Sequence, residues 1–203
     1  MKKGCLIAVI VAIAVILIVG IGMYSYIKNN YNNMVTLEEN VTQKWAQVEN
    51  VYQRRADLIP NLVEVVKGYA SFERETLEAV VNARSKVGGQ INLGPEVLNN
   101  PEAFALFQEA QSSLTSALQR LMVVVERYPD LKADQRFADL QVQLEGTENR
   151  ISVERGRFNE AVQGFNTTIR VFPANIIAGF FGFDQKVYFQ ANAGAEQVPE
   201  VKF

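Results

Sequence analysis

From Gly4 to Ile27 the chain carries no charged side chain, and Lys3 and Lys28 bracket the run. Its 24 residues span about 36 Å as a helix, enough to cross a hydrocarbon core. Tyr24 and Tyr26 fall at its far end, where amphipathic rings favour the headgroup region. A cleaved signal peptide is the competing reading. The apolar run is long for an h-region, and no clear small-x-small site follows it. Residues 1–28 are therefore expected to form an uncleaved, single-pass anchor in the cell (inner) membrane. Cys5 precedes the run instead of following it, which is not the placement of a lipoprotein acceptor. Lys2 and Lys3 outnumber Lys28, so the positive-inside tendency puts the rest of the chain on the extracytoplasmic side.

The remaining residues exclude most familiar chemistry. With Lys2 and Lys3 set aside, 18 basic residues stand against 22 acidic ones, which offers no basic face for nucleic acid. The chain has no histidine, so the usual proton shuttle and the commonest metal ligand are missing. Its one cysteine, Cys5, excludes an internal disulfide, a thiolate zinc site and a Cys–His nucleophile. No cofactor is expected.

Beyond the anchor the apolar period is helical. Met34, Leu37, Val41, Trp45, Val48, Tyr52, Ile59, Leu62, Val66 and Tyr69 recur at three- and four-residue steps. Arg55 is the one charged residue on that stripe. This first helix is expected to reach Val87, with a kink or a break at Pro60, and to stop at Gly88-Gly89. Asp57 could cap a new start and place Pro60 in a tolerated first turn. A second helix is predicted from Pro101 to about Tyr128, ended by Pro129-Asp130. A third runs from about Asp134 to Phe172, ended by Pro173, with a short apolar segment, Ala174 to Phe183, after it. The fold class is all-α: a transmembrane helix, then an up-and-down antiparallel bundle of long helices over residues 29–183, then an extended tail over 184–203.

The stretch Gln53-Arg-Arg-Ala-Asp-Leu-Ile-Pro-Asn-Leu-Val63 is distinctive. With Val66-Lys67-Gly68-Tyr69, Glu73-Arg74-Glu75, Ala83-Arg84, Phe158-Asn159-Glu-Ala-Val162, Phe165-Asn166, Phe172-Pro173, Gly182-Phe183, Tyr188-Phe189 and the Pro199–Phe203 ending, it resembles the LemA family of bacterial proteins. Tyr31-Asn32 and Trp45 fit as well, so the resemblance covers nearly the whole chain. Phe158 and Phe165 stand where that family often has Tyr, a departure that loses two hydroxyls. The resemblance implies a membrane anchor and a four-helix up-and-down bundle. It supplies no activity, and the genes of such proteins often lie near those of membrane proteases or TPM-domain proteins.

Three groups of residues invite a site. Arg54, Arg55, Asp57 and Asn61 surround Pro60, and Asn159 and Asn166, seven apart, share a helix face. Together they predict a buried polar layer. It either binds an anion or a partner peptide, or fixes helix register and satisfies the carbonyls freed at Pro60; the second reading is the simpler. Glu73, Glu75 and Glu78 are close in sequence, but acid–base work needs carboxyls that converge in a pocket, and a solvated helix face accounts for them. Trp45 with Tyr52 could present an aromatic patch, though core packing is the plainer account. Gly20-x-Gly22 is not a GxxxG pairing motif.

Lengths raise one further expectation. Unbroken, the first helix is about 85 Å long, the second about 40 Å and the third about 60 Å. The second cannot cover all of the first, so either the loop over residues 88–100 carries the chain far along the bundle or the stripe Met34, Leu37, Val41, Trp45, Val48 and Tyr52 is left for something else to cover. The simpler expectation is that this stripe stays bare and pairs copies of the chain, helped by the tail ending at Phe203. These readings describe a non-enzymatic, membrane-anchored scaffold that self-assembles, a homo-oligomer with coiled-coil character. The alternatives are a membrane-surface organiser or an accessory subunit of a membrane protease or other membrane complex.

Overall fold

The computed structural model describes residues 2–90 and 94–190. Among these residues the chain is helical with no strand. Helix α1 (Lys2–Tyr69) is followed by α2 (Arg74–Gln90), a 3-10 turn (Pro95–Asn99), α3 (Pro101–Val125), the one-turn α4 (Pro129–Lys132), α5 (Gln135–Arg170) and α6 (Ala174–Phe181). The all-α architecture expected from the period of the apolar residues is the one found.

Helix α1 runs through Lys28 and through Pro60 without interruption. Its apolar run, from Ile7 onward, is long enough to cross a membrane, and none of the described residues in it is buried. In lipid a helix satisfies every backbone polar group internally, and apolar side chains all round the surface are then favourable.

The expected single helix to Val87 is instead two helices, and the break lies at Ala70–Glu73, not at Pro60 or Gly88-Gly89. No glycine or proline forces it. Glu73 accepts bonds from Tyr128 (3.1 Å) and Arg127 (3.1 Å), which fixes the turn against the end of α3. Beyond the break, Leu77, Val80, Ala83 and Val87 of α2 join one core with Ile59, Leu62 and Val66 of α1, Leu114, Leu121 and Val125 of α3, and Phe137, Leu140 and Leu144 of α5. Burying the α2 stripe in that core is worth more than continuing a solvated helix. The other predicted ends are close: α3 starts at Pro101, where Asn100 accepts from Glu102 N and Ala103 N, and Asp134 caps α5 by accepting from Arg136 N (2.7 Å).

By internal packing the chain divides into two units. One comprises Met1–Asn40 with Gln163–Gln185; the other comprises Val41–Val162 with the described part of Lys186–Phe203. The four-helix core and the polar residues around Pro60 belong to the second. In the first, α6 is positioned by aromatic contacts: the Tyr31 ring lies 4.8 Å from Phe181 and 5.6 Å from Phe183.

Candidate functional site

The stripe expected to lie bare is covered by its own chain. Met34, Val41, Trp45, Val48 and Tyr52 are all buried, and Leu37 is half-buried. Trp45 explains how. Its ring centroid lies 5.2 Å from Phe107, 5.6 Å from Phe158, 5.8 Å from Phe104 and 6.1 Å from Phe189. The expectation of an exposed stem failed because it gave the segment after residue 183 no covering role. That segment returns as a strap. Val187 N donates to Leu98 O (3.2 Å) and Lys186 Nζ to Asn99 Oδ1 (2.8 Å). Asn159 brackets Phe189, donating to its carbonyl (3.0 Å) and accepting from its amide (2.9 Å). Arg155 donates to Gln190 O (2.9 Å) and stands 4.6 Å above the Phe189 ring. Phe203, the other part of the expected interface, lies outside the described residues.

The polar layer also differs from its expected membership. Arg55 is buried, as its place on an apolar stripe requires, and its two terminal nitrogens find partners on α3 and α5. Its Nη1 donates to Glu148 Oε2 (2.8 Å) and Thr115 Oγ1 (3.1 Å), and its Nη2 to Gln111 Oε1 (2.5 Å). Its guanidinium stands 5.2 Å from the Tyr52 ring centroid. Burial pushes the Tyr52 hydroxyl up, with Arg155 and Arg55 opposing the shift. Arg55 Nε and Gln111 Nε2 are buried without a partner among the described residues.

The other expected members lie elsewhere. Arg54 is exposed and reaches Gln143 at 3.3 Å. Asp57 is exposed and accepts from Gln53 (2.7 Å). Asn61 is exposed on an open cleft with Tyr69 and Arg136. Asn166 is buried, but in the unit that does not contain Arg55. Helical rotation separates Arg55 from the others: it stands one residue from Arg54 and two from Asp57, whereas Arg54, Asp57 and Asn61 lie three and four apart on the exposed side of α1. The carbonyl freed by Pro60 is that of Ala56, and Arg84 supplies the missing donor through Nε at 2.9 Å.

Gln111 and Glu148 were missed. Gln111 had the same signal as Arg55, a polar residue on an apolar stripe between Phe107 and Leu114. Glu148 is half-exposed and gave none. The carboxylates near residue 75 are held apart by partners, Glu73 by Arg127 and Glu78 by Arg74. Among the described residues no group of three or more acidic or cysteine side chains could hold a metal ion.

Beside Arg55 the surface opens into a groove between α3 and α5 of about 460 Å³. Leu118, Met122, Val123 and Leu144 line it, with Arg55, Thr115 and Glu148 at one side. Val123 is 71% exposed. A cavity with this lining offers dispersion and desolvation to an apolar segment and a few charges to orient it.

Comparison with known proteins agrees with the motif-level resemblance. The model of the LemA family matches residues 44–203. Magnetosome protein MamQ 2 of Paramagnetospirillum magneticum is 29% identical over 175 residues, covering 79% of this chain and 64% of that protein. Magnetosome protein MamQ of Magnetospirillum gryphiswaldense is 28% identical over 174 residues, covering 78% and 64%. Protein LemA of Metamycoplasma hominis is 24% identical over 176 residues, covering 86% of this chain and 76% of its own. The chain thus spans a little under two thirds of the MamQ proteins it matches.

Proposed function

From the premise that the chain belongs to the LemA family, we propose that it is a membrane-anchored, non-enzymatic scaffold that works by docking a second copy of itself. The observation that supports this reading is the apolar groove between α3 and α5, with Val123 largely exposed beside Leu118, Met122 and Leu144. An exposed apolar concavity of this kind is the form of a protein-binding surface. A shared anchor holds all copies in one plane and one orientation, which raises their effective concentration and favours pairing of like chains. Self-association through the Met34–Tyr52 stripe is no part of this proposal, because the chain buries that stripe itself. A photo-crosslinking residue in place of Val123, activated in native membranes, should give an adduct of twice the chain's mass. An adduct with another membrane protein would replace the scaffold reading by that of an accessory subunit. No adduct at all would remove the groove as a docking surface.

A further inference from the structure

We infer that α6 and its flanking residues lie in the bilayer interface, forming a second contact between this chain and lipid beside the anchor helix. The inference rests on α1 spanning the membrane and is independent of the groove. From Val171 to Phe183 no residue is charged. On α6, Ile176 and Phe180, four apart and therefore on one face, are 64% and 84% exposed, and Phe172, in the turn just before the helix, is 80% exposed. On the opposite face Ala174, Ile177 and Ala178 are buried. A short helix this apolar, wet on one whole side, is unfavourable in water and favourable against lipid.

The same unit says where that side lies. The Tyr31 ring touches Phe181 and Phe183, and Tyr31 sits three residues past Lys28, the charge that closes the apolar run. That is about 5 Å along the helix, within the headgroup region. Packing on α1 begins at the same level: Tyr24 and Tyr26 are exposed, Ile27 and Asn30 are half-buried, and Met34 is buried. Phe172, Ile176 and Phe180 then join Tyr24 and Tyr26 as an aromatic and apolar girdle at one membrane surface. An isolated interfacial helix needs basic residues to draw it to anionic lipid. A helix already held there by an anchor does not, which accounts for the lack of Lys and Arg in α6.

The test uses the full chain in bilayers of phosphatidylcholine brominated near the top of its acyl chains, with one tryptophan added at a time. The emission of the parent, whose only tryptophan is the buried Trp45, is subtracted. Phe180→Trp should emit at shorter wavelength than Phe72→Trp and be quenched by bromine as strongly as Tyr24→Trp. Phe72, in the turn between α1 and α2, is 95% exposed and serves as the solvent reference. If Tyr24→Trp is quenched and Phe180→Trp is not, α6 is out of the lipid and the inference fails alone. Blue-shifted but unquenched emission from Phe180→Trp would mean that protein covers that face, and the inference would fail in the same way. If Tyr24→Trp itself escapes quenching, the anchor reading fails and takes the inference with it.

Discussion

At the scale of the residue, Pro60 and Arg84 show how one irregularity is absorbed. Proline in a helix interior removes the donor that would meet the carbonyl four residues back. Here that carbonyl is Ala56 O, and Arg84 Nε meets it from α2. Arg84→Ala should therefore lower stability by about 1 kcal/mol, the typical worth of such a bond. In a Pro60→Ala background the restored amide supplies the donor, and the loss of Arg84 should cost less. Thermal melts of the four chains of this double-mutant cycle in detergent check it; equal costs in both backgrounds would show that Arg84 acts elsewhere. That Arg55 would be buried and in need of partners was legible from its place in an apolar stripe. That Pro60 would leave an unmet carbonyl was legible too. The partners were not, because Gln111, Thr115, Glu148 and Arg84 are chosen by the register of one helix against another, which no single helix encodes.

At the scale of the element, ends written in proline or in an N-cap were legible, as at Asn100-Pro101 and Asp134. The break at Ala70–Glu73 was not, since its local sequence would continue a helix and only tertiary burial of α2 opposes that. The turn's neighbourhood makes a pH prediction. Tyr69, the last residue of α1, donates to Asp134 Oδ2 (2.7 Å), and Asp134 caps α5. The Arg136 side chain, then the Tyr69 hydroxyl, then backbone amides hold the Asp134 carboxyl well below the usual carboxylate range. A carboxyl with a folded pKa below its unfolded one stabilises the fold fully above the unfolded value. That contribution is lost as pH falls through the lowered folded value. Tyr69→Phe removes one donor while keeping the ring. Its melting temperature should lie below the parent's at neutral pH, and the two curves should converge as the pH drops below about 4, where unfolded carboxyls protonate. A constant offset down to the most acid pH would show that the hydroxyl acts through something other than this carboxylate.

At the scale of the whole molecule, we propose that the residues after the anchor helix stand on the extracytoplasmic side of the membrane. The positive-inside tendency counts Lys and Arg close to the ends of a span. Lys2 and Lys3 precede the apolar run, whereas Lys28 alone closes it, and the next basic residue, Lys44, is about 24 Å further along α1. The intervening segment carries Glu38 and Glu39, which weigh little in this rule. The bias therefore favours a cytoplasmic N-terminus and an extracytoplasmic bundle, by a margin of a charge or two. Cys5 is the only native thiol and lies at the opposite end of the span from the bundle, so replacing it with serine leaves a background in which one introduced cysteine reports one place. Glu109 is exposed on α3 and takes part in none of the contacts described above. In Cys5→Ser, Glu109→Cys should react with a membrane-impermeant thiol reagent on intact cells, or on spheroplasts where an outer membrane intervenes. Labelling that appears only after lysis would put the bundle in the cytoplasm, and with it the α3–α5 groove and the face of α6, so that any partner would have to be sought there.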